Sequence, residues 1–284
     1  MKKIPLLLSC LILSIFACST DQLKAQPGAA HASQQALADT PASRKKAPKW
    51  KLVFSDKFNS KGAFDERKWV YSSRGNPAWA RYLTASPEYV YQKGGKLLLK
   101  MDKANIPGDS VPYHSAGIQS SGKFSFLYGK VEVRAKFTKG KGSWPAIWMM
   151  PEGSGAYGGW PNSGEIDIME HVNNESKIHQ TIHNRAVTNA KGASTATHQA
   201  AYNAEDFNTY GIIWNADAVN FYVNNVLQYT YAKPAGATFK EWPFDKPFYL
   251  ILNQAGGAGW PGALDERDLP FEMQVDWVKV YQQR

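Results

Sequence analysis

Cysteine is nearly missing from this chain: among 284 residues there are two, Cys10 and Cys18, and none follows. The body has no disulfide to staple it, so its stability has to come from a large apolar core. Long apolar runs are also missing. The longest, residues 4–17, follows Lys2 and Lys3 and is too short to cross a bilayer as a helix. With Cys18 directly behind it, the run reads as an export signal of the lipoprotein type. No apolar pattern of helical period lasts for about ten residues. No glycine-rich phosphate loop, no Cys/His cluster at zinc spacing and no basic recognition helix occurs. These absences set aside phosphate-loop chemistry, structural zinc and nucleic-acid binding.

What remains divides into three stretches. Residues 1–18 form the expected signal peptide, with Cys18 as the lipidated residue. Residues 19–48 are rich in Ala, Gln, Ser and Pro without periodicity and read as a disordered tether. Residues 49–284 have a suitable size for one all-β domain. The chain is therefore expected to be exported and anchored to the cell envelope at the outer membrane, touching the membrane through its lipid alone, and to be a monomer. The net charge of +9 is mildly basic. It is compatible with ordinary solubility or with an acidic or sulfated glycan as partner.

Strand-like runs at 51–58, 89–91, 96–101, 117–124 and 129–137 are punctuated by Gly, Pro, Asn and Asp. Further runs lie at 177–183, 210–214, 218–223, 226–231, 247–253 and 273–281. Val131, Val133 and Ala135 alternate with Glu132, Arg134 and Lys136, as in a strand with one wet side. Many short strands with non-local pairing predict two stacked antiparallel sheets. Trp69, Trp214 and Trp277 are expected in the core, and residues 185–199 in a loop.

The unusual stretch is 163–171, where Glu165, Asp167 and Glu170 are interleaved with Ile166, Ile168 and Met169. In a regular strand Glu165 and Asp167 share a face and Glu170 falls on the other. A β-bulge at Ile168 and Met169 would return Glu170 to the same side. Three like charges in a row repel one another, and such crowding holds a proton near neutral pH. The plainer reading is the solvated face of an edge strand. Against it stand the flanking Trp144, Trp148 and Trp160, since flat rings beside paired carboxylates suit the faces of sugars. The run 177–183 places His179, Thr181 and His183 on one face, ready to lie beside the acids.

Gly-Glu-Ile-Asp-Ile-Met-Glu-His at 164–171, with Gly-Ser-Trp-Pro-Ala-Ile-Trp-Met-Met-Pro at 142–151 and Tyr-Gly-Gly-Trp-Pro at 157–161, resembles the signature of glycoside hydrolase family 16, in its bulged, laminarinase-like branch. The resemblance runs from about residue 50 to residue 281. It implies a β-jelly-roll sandwich of two curved antiparallel sheets with a substrate cleft on the concave face. It also implies an endo-acting, retaining β-glycosidase needing no cofactor, with Glu165 as nucleophile, Glu170 as acid/base and Asp167 bonded to the nucleophile. Two such carboxyl groups act at roughly 5 to 5.5 Å. Four strand positions span roughly 13 Å between α-carbons, so both side chains have to lean inward. His183 is expected near Asp167 or the substrate, Trp144 and Trp160 in the cleft, and Trp148 as wall and partial core. The segment 253–262, with Gln254 and Trp260, is expected as a loop over the cleft.

Two departures bear on the substrate. Where the laminarinase pattern carries Asn-x-Glu-x-Gln-Tyr, this chain has Trp79 and Arg81, and Gln180 stands where Gly is common before Thr. A β-1,3-glucan and galactose-containing chains such as mucin-type O-glycans are both substrate expectations. The rival class is a non-catalytic surface protein that binds carbohydrate on the same fold. A structural calcium has a poor ligand set, because Lys57 follows Asp56 where an acid is common and Asp276 adds little.

Overall fold

The computed structural model describes residues 48–153, 157–188 and 196–284. The chain separates into two units, Met1–Lys46 and Ala47–Arg284. The expected signal peptide, Cys18 and almost all of the tether lie outside the described residues. The strands, in chain order, are β1 (Trp50–Asp56), β2 (Val70–Tyr71), β3 (Val90–Lys93), β4 (Lys96–Lys103), β5 (Tyr113–His114), β6 (Ala116–Gln119), β7 (Gly129–Phe137) and β8 (Ser143–Pro151). They continue as β9 (Glu165–Glu170), β10 (Lys177–His183), β11 (Thr197–Ala201), β12 (Asn208–Trp214), β13 (Ala218–Val223), β14 (Val226–Ala232), β15 (Phe248–Gly256) and β16 (Phe271–Gln283).

Two antiparallel sheets result. One runs β14-β13-β12-β7-β16-β4-β3, with β1 added on β16 and β5 on β4; the other runs β11-β10-β9-β8-β15-β6-β2. Alternation explains the layering. Val131, Val133 and Ala135 of β7 are fully buried, as are Ile147 and Met149 of β8, Ile166 and Ile168 of β9, and Leu250 and Leu252 of β15, all in one core between the sheets. Residues that alternate with these on the second sheet, such as Trp148 on β8 and Ile251 on β15, form a separate apolar cluster with Trp79, Met150 and Tyr249. That cluster is the floor of a cleft.

Three expectations need correction. Trp69 and Trp214 are buried, but Trp277 is half-buried with the Lys279 ammonium 4.0 Å from its ring. A register shift between Val275 and Trp277 moves this ring to the outer face. The stretch 185–199 is not all loop: Arg185–Thr188 make a short helix and Thr197 begins β11, while 189–195 lie outside the described residues. Residues 253–256 continue β15 rather than opening a loop. Asp56 accepts from the Phe58 N–H and the Trp69 indole, and Asp276 pairs with Arg134.

Candidate active site

The acidic run enters β9 through Gly164, whose φ is +85° and whose added Cβ would lie 2.8 Å from both Phe244 and Pro243. Both features call for glycine at that point. Along β9 the pairing breaks. On one side Trp148 faces Asp167 and Ile147 faces Met169, skipping Ile168. On the other, Thr181 faces Asp167 and His179 faces Glu170, leaving Gln180 opposite both Ile168 and Met169. This is the bulge expected from parity. Ile168 and Met169 both enter the main core, and Glu165, Asp167 and Glu170 face His183, Thr181 and His179 in turn.

Gln180 is fully buried, and its amide donates to the Ile168 carbonyl at 3.3 Å. It thus binds a backbone group at the break in the ladder.

Two indoles hold the outer acids. The Trp160 N–H donates to Glu165 Oε2 at 2.6 Å, and the Trp144 N–H donates to Glu170 Oε1 at 2.9 Å. His183 Nε2 stands 3.2 Å from Asp167 Oδ2, off the line of a hydrogen bond. Burial, reinforced by the Asp167 charge, pushes Glu165 well above the ordinary carboxylate range. Asp167 is also pushed well up, by burial first and then by Glu170. Glu170 is raised from 4.5 to about 7, chiefly by burial; the Trp144 N–H opposes the rise and the Glu165 charge adds to it. Three carboxyls pushed up together keep protons that ordinary carboxyls have lost, the condition that acid/base work requires.

Glu165 and Glu170 lie on the floor of a cleft of ≈ 660 Å³, with Asp167 buried beneath them; the cleft is lined by Trp79, Trp144, Trp148, Trp160 and Trp260, with His179, Thr181, His183, Met150, Tyr249, Ile251 and Gln119 among the other walls. Trp160 and Trp260 are about half exposed, at 54% and 48%, as rings offered to a ligand are. Trp148 is almost buried, edge-on to Trp79 at 4.8 Å, and donates to Asn253 Oδ1. Trp260 is edge-on to Trp144 and to His179. Its loop rests on the turn that carries Trp79: Gly259 has φ +67°, and a Cβ there would meet the Ala78 Cβ at 2.4 Å.

Two expected contacts fall outside the cleft lining. Arg81 is exposed; it follows the 3₁₀ turn Ala78–Ala80, in which residues two apart point to different sides. Gln254 is fully buried and donates to Ser143 Oγ and the Ala255 carbonyl, so it braces the end of β15. Conversely, Tyr249, Met150 and Ile251 line the cleft without having been singled out. Their period-two placement on β8 and β15 was visible, but the pairing of Ile251 with Trp148 joins segments far apart in sequence.

An antiparallel sandwich with carboxyls and indoles on the floor of an open cleft belongs to the class of carbohydrate-active β-sandwich proteins. More narrowly, this chain belongs to glycosyl hydrolases family 16, whose sequence profile matches residues 78–279. The fold is that family's jelly roll. Over 274 residues it is 57% identical to a keratan-sulfate endo-1,4-beta-galactosidase of Sphingobacterium multivorum, an alignment covering 95% of this chain and 64% of that protein. A beta-glucanase of Rhodothermus marinus is 37% identical over 250 residues, covering 83% of this chain and 86% of that one. The X-ray structure of the laminarinase from Rhodothermus marinus superposes with a TM-score of 0.77 at 34% identity, covering 84% of this chain and 99% of that one.

Proposed function

We propose that the protein is an endo-acting, retaining β-galactosidase that cuts internal linkages of galactose-containing chains of the keratan-sulfate type. The observation that carries the chemistry is the bulged strand, which sets Glu165 and Glu170 on one face in an aromatic cleft, each bonded to an indole. With the proton of the Glu165–Asp167 pair resting on Asp167, Glu165 attacks the anomeric carbon while protonated Glu170 gives its proton to the departing glycosidic oxygen. A covalent glycosyl-enzyme forms; Glu170, now a carboxylate, takes a proton from water, which displaces Glu165. Asp167 shares a proton with Glu165 and keeps the two glutamates in opposite states. A non-catalytic role leaves three mutually repelling, crowded acids without a use.

Galactose is favoured over glucose by the 57% identity to the galactosidase and by Trp79, which places a ring where the laminarinase pattern has amides and acids. The glucanase relatives support a second reading, cleavage of β-1,3-glucan. Keratan sulfate, mucin-type O-glycans and laminarin, each incubated with the chain and their products weighed by mass spectrometry, decide between them. Faster cutting of laminarin installs the glucanase reading. NMR of the first product settles retention.

We also propose that the chain is exported and held by a lipid on Cys18, on the strength of the short apolar run before it. Cys18→Ala that still fractionates with membranes overturns that.

A further inference from the structure

We propose that the cleft floor is also a binding site for a borderline-soft divalent cation, zinc above all, held by Glu165, Asp167 and His183 and halting turnover while bound. One ligand atom from each residue, two carboxylate oxygens and an imidazole nitrogen, lie within 4.8 Å of one another. Bonds of about 2.0–2.2 Å to a tetrahedral ion put its ligands about 3.4 Å apart. His183 Nε2 and Asp167 Oδ2, at 3.2 Å, already stand at that spacing. Glu165 has only to lean in.

A second observation is independent of the clustering. Asp167 Oδ2 is a buried acceptor to which no N–H or hydroxyl among the described residues donates, on a residue 1% exposed, and the only proton near it is the one shared with Glu165, which a cation would displace. Buried carboxylate oxygens normally have a donor or a cation. No Lys or Arg stands among the described residues lining the cleft, and the two indole N–H groups are spent on Glu165 Oε2 and Glu170 Oε1. His183 is oriented as a metal-binding imidazole is: its Nδ1 is 3.4 Å from the Thr188 hydroxyl, leaving Nε2 toward the acids.

The imidazole selects the ion. Magnesium and calcium take about six or more oxygens, whereas one nitrogen, two carboxylates and a position open to the cleft suit zinc. A Glu165 lone pair donated to the ion cannot attack carbon. Binding stands on geometry alone; the effect on turnover rests on the assignment of Glu165 proposed above.

The test is a calorimetric titration of zinc chloride into the purified chain near neutral pH, with magnesium chloride as control. One zinc per chain is expected, weakened by at least about tenfold in His183→Asn and in Asp167→Asn, with no heat from magnesium. Zinc soaked into wild-type crystals should give an anomalous peak between the three side chains, a readout that survives if either variant fails to fold. No zinc binding, a peak elsewhere, or unchanged affinity in both variants overturns the site. Zinc seated there with glycan turnover undiminished overturns the inhibition and the role of Glu165 together. A chain that cuts no glycan overturns the proposed function and leaves the calorimetric result standing.

Discussion

At the scale of single residues, the chemistry turns on the two glutamates and the indoles that touch them. Glu165→Gln and Glu170→Gln should each remove nearly all turnover while leaving glycan binding intact, because the volume stays and the proton chemistry goes. Azide should rescue Glu165→Gly as a glycosyl azide of inverted configuration; near-normal turnover in either Gln variant sinks the assignment. The indole bonds make a subtler expectation. Glu170 must hold its proton to act as acid, so kcat/KM should fall as pH rises through about 7. The Trp144 N–H stabilises the carboxylate form and opposes the rise. Trp144→Phe should therefore move the alkaline limb to higher pH, and a pH–rate profile that stays put or moves down contradicts it. Trp79→Ala should cost galactan cleavage about 1 to 3 kcal/mol, roughly one to two decades in kcat/KM. Laminarin cleavage, read in the same assay, should suffer less.

At the scale of the element, the bulge in β9 is what makes a site of three acids. Without it Glu170 faces the core between the sheets, where a carboxylate has no partner. Gln180 is opposite the break and bonds the Ile168 carbonyl. Gln180→Ala should lower kcat by about tenfold, about 1.4 kcal/mol, with KM within about twofold, because the bulge loosens while the cleft walls stay. An unchanged kcat in a folded variant removes that role from Gln180. The same element shows what sequence conveys well. The bulge was legible because parity is counted along one strand, and the facing of His179, Thr181 and His183 followed from the next run. Trp277 was misplaced because its own bulge carries no charge pattern to reveal a change of face. Arg81 was misplaced because the turn after Asn76 was not recognised as 3₁₀. Gln254 was misplaced because glycines suggested a loop where the chain was still a strand.

At the scale of the whole molecule, the site lowers stability. A carboxyl whose folded pKa lies above its unfolded value binds extra protons when folded, so its cost is absent below about 4.5 and complete above about 7 for Glu170. A shift of that size is worth up to about 3 kcal/mol. Glu170→Gln should therefore melt higher than wild type at pH 8, by several degrees, with the difference shrinking toward pH 5. Equal melting at both values contradicts the burial of that charge. The all-β sandwich was legible from strand alternation alone. The sheet order was not, because β16 lies between β7 and β4, and that neighbourhood is fixed by long-range packing rather than by local pattern.

The seat of Gly259 on Ala78 also carries a lesson for anyone recombining this scaffold with its relatives. The two aromatic loops at the rim behave as one exchangeable cassette. A chimera that imports 257–262 with a bulkier residue at Gly259 will push Trp79 out of line unless 77–80 travels with it, and restoring the matched pair should restore the donor's preference.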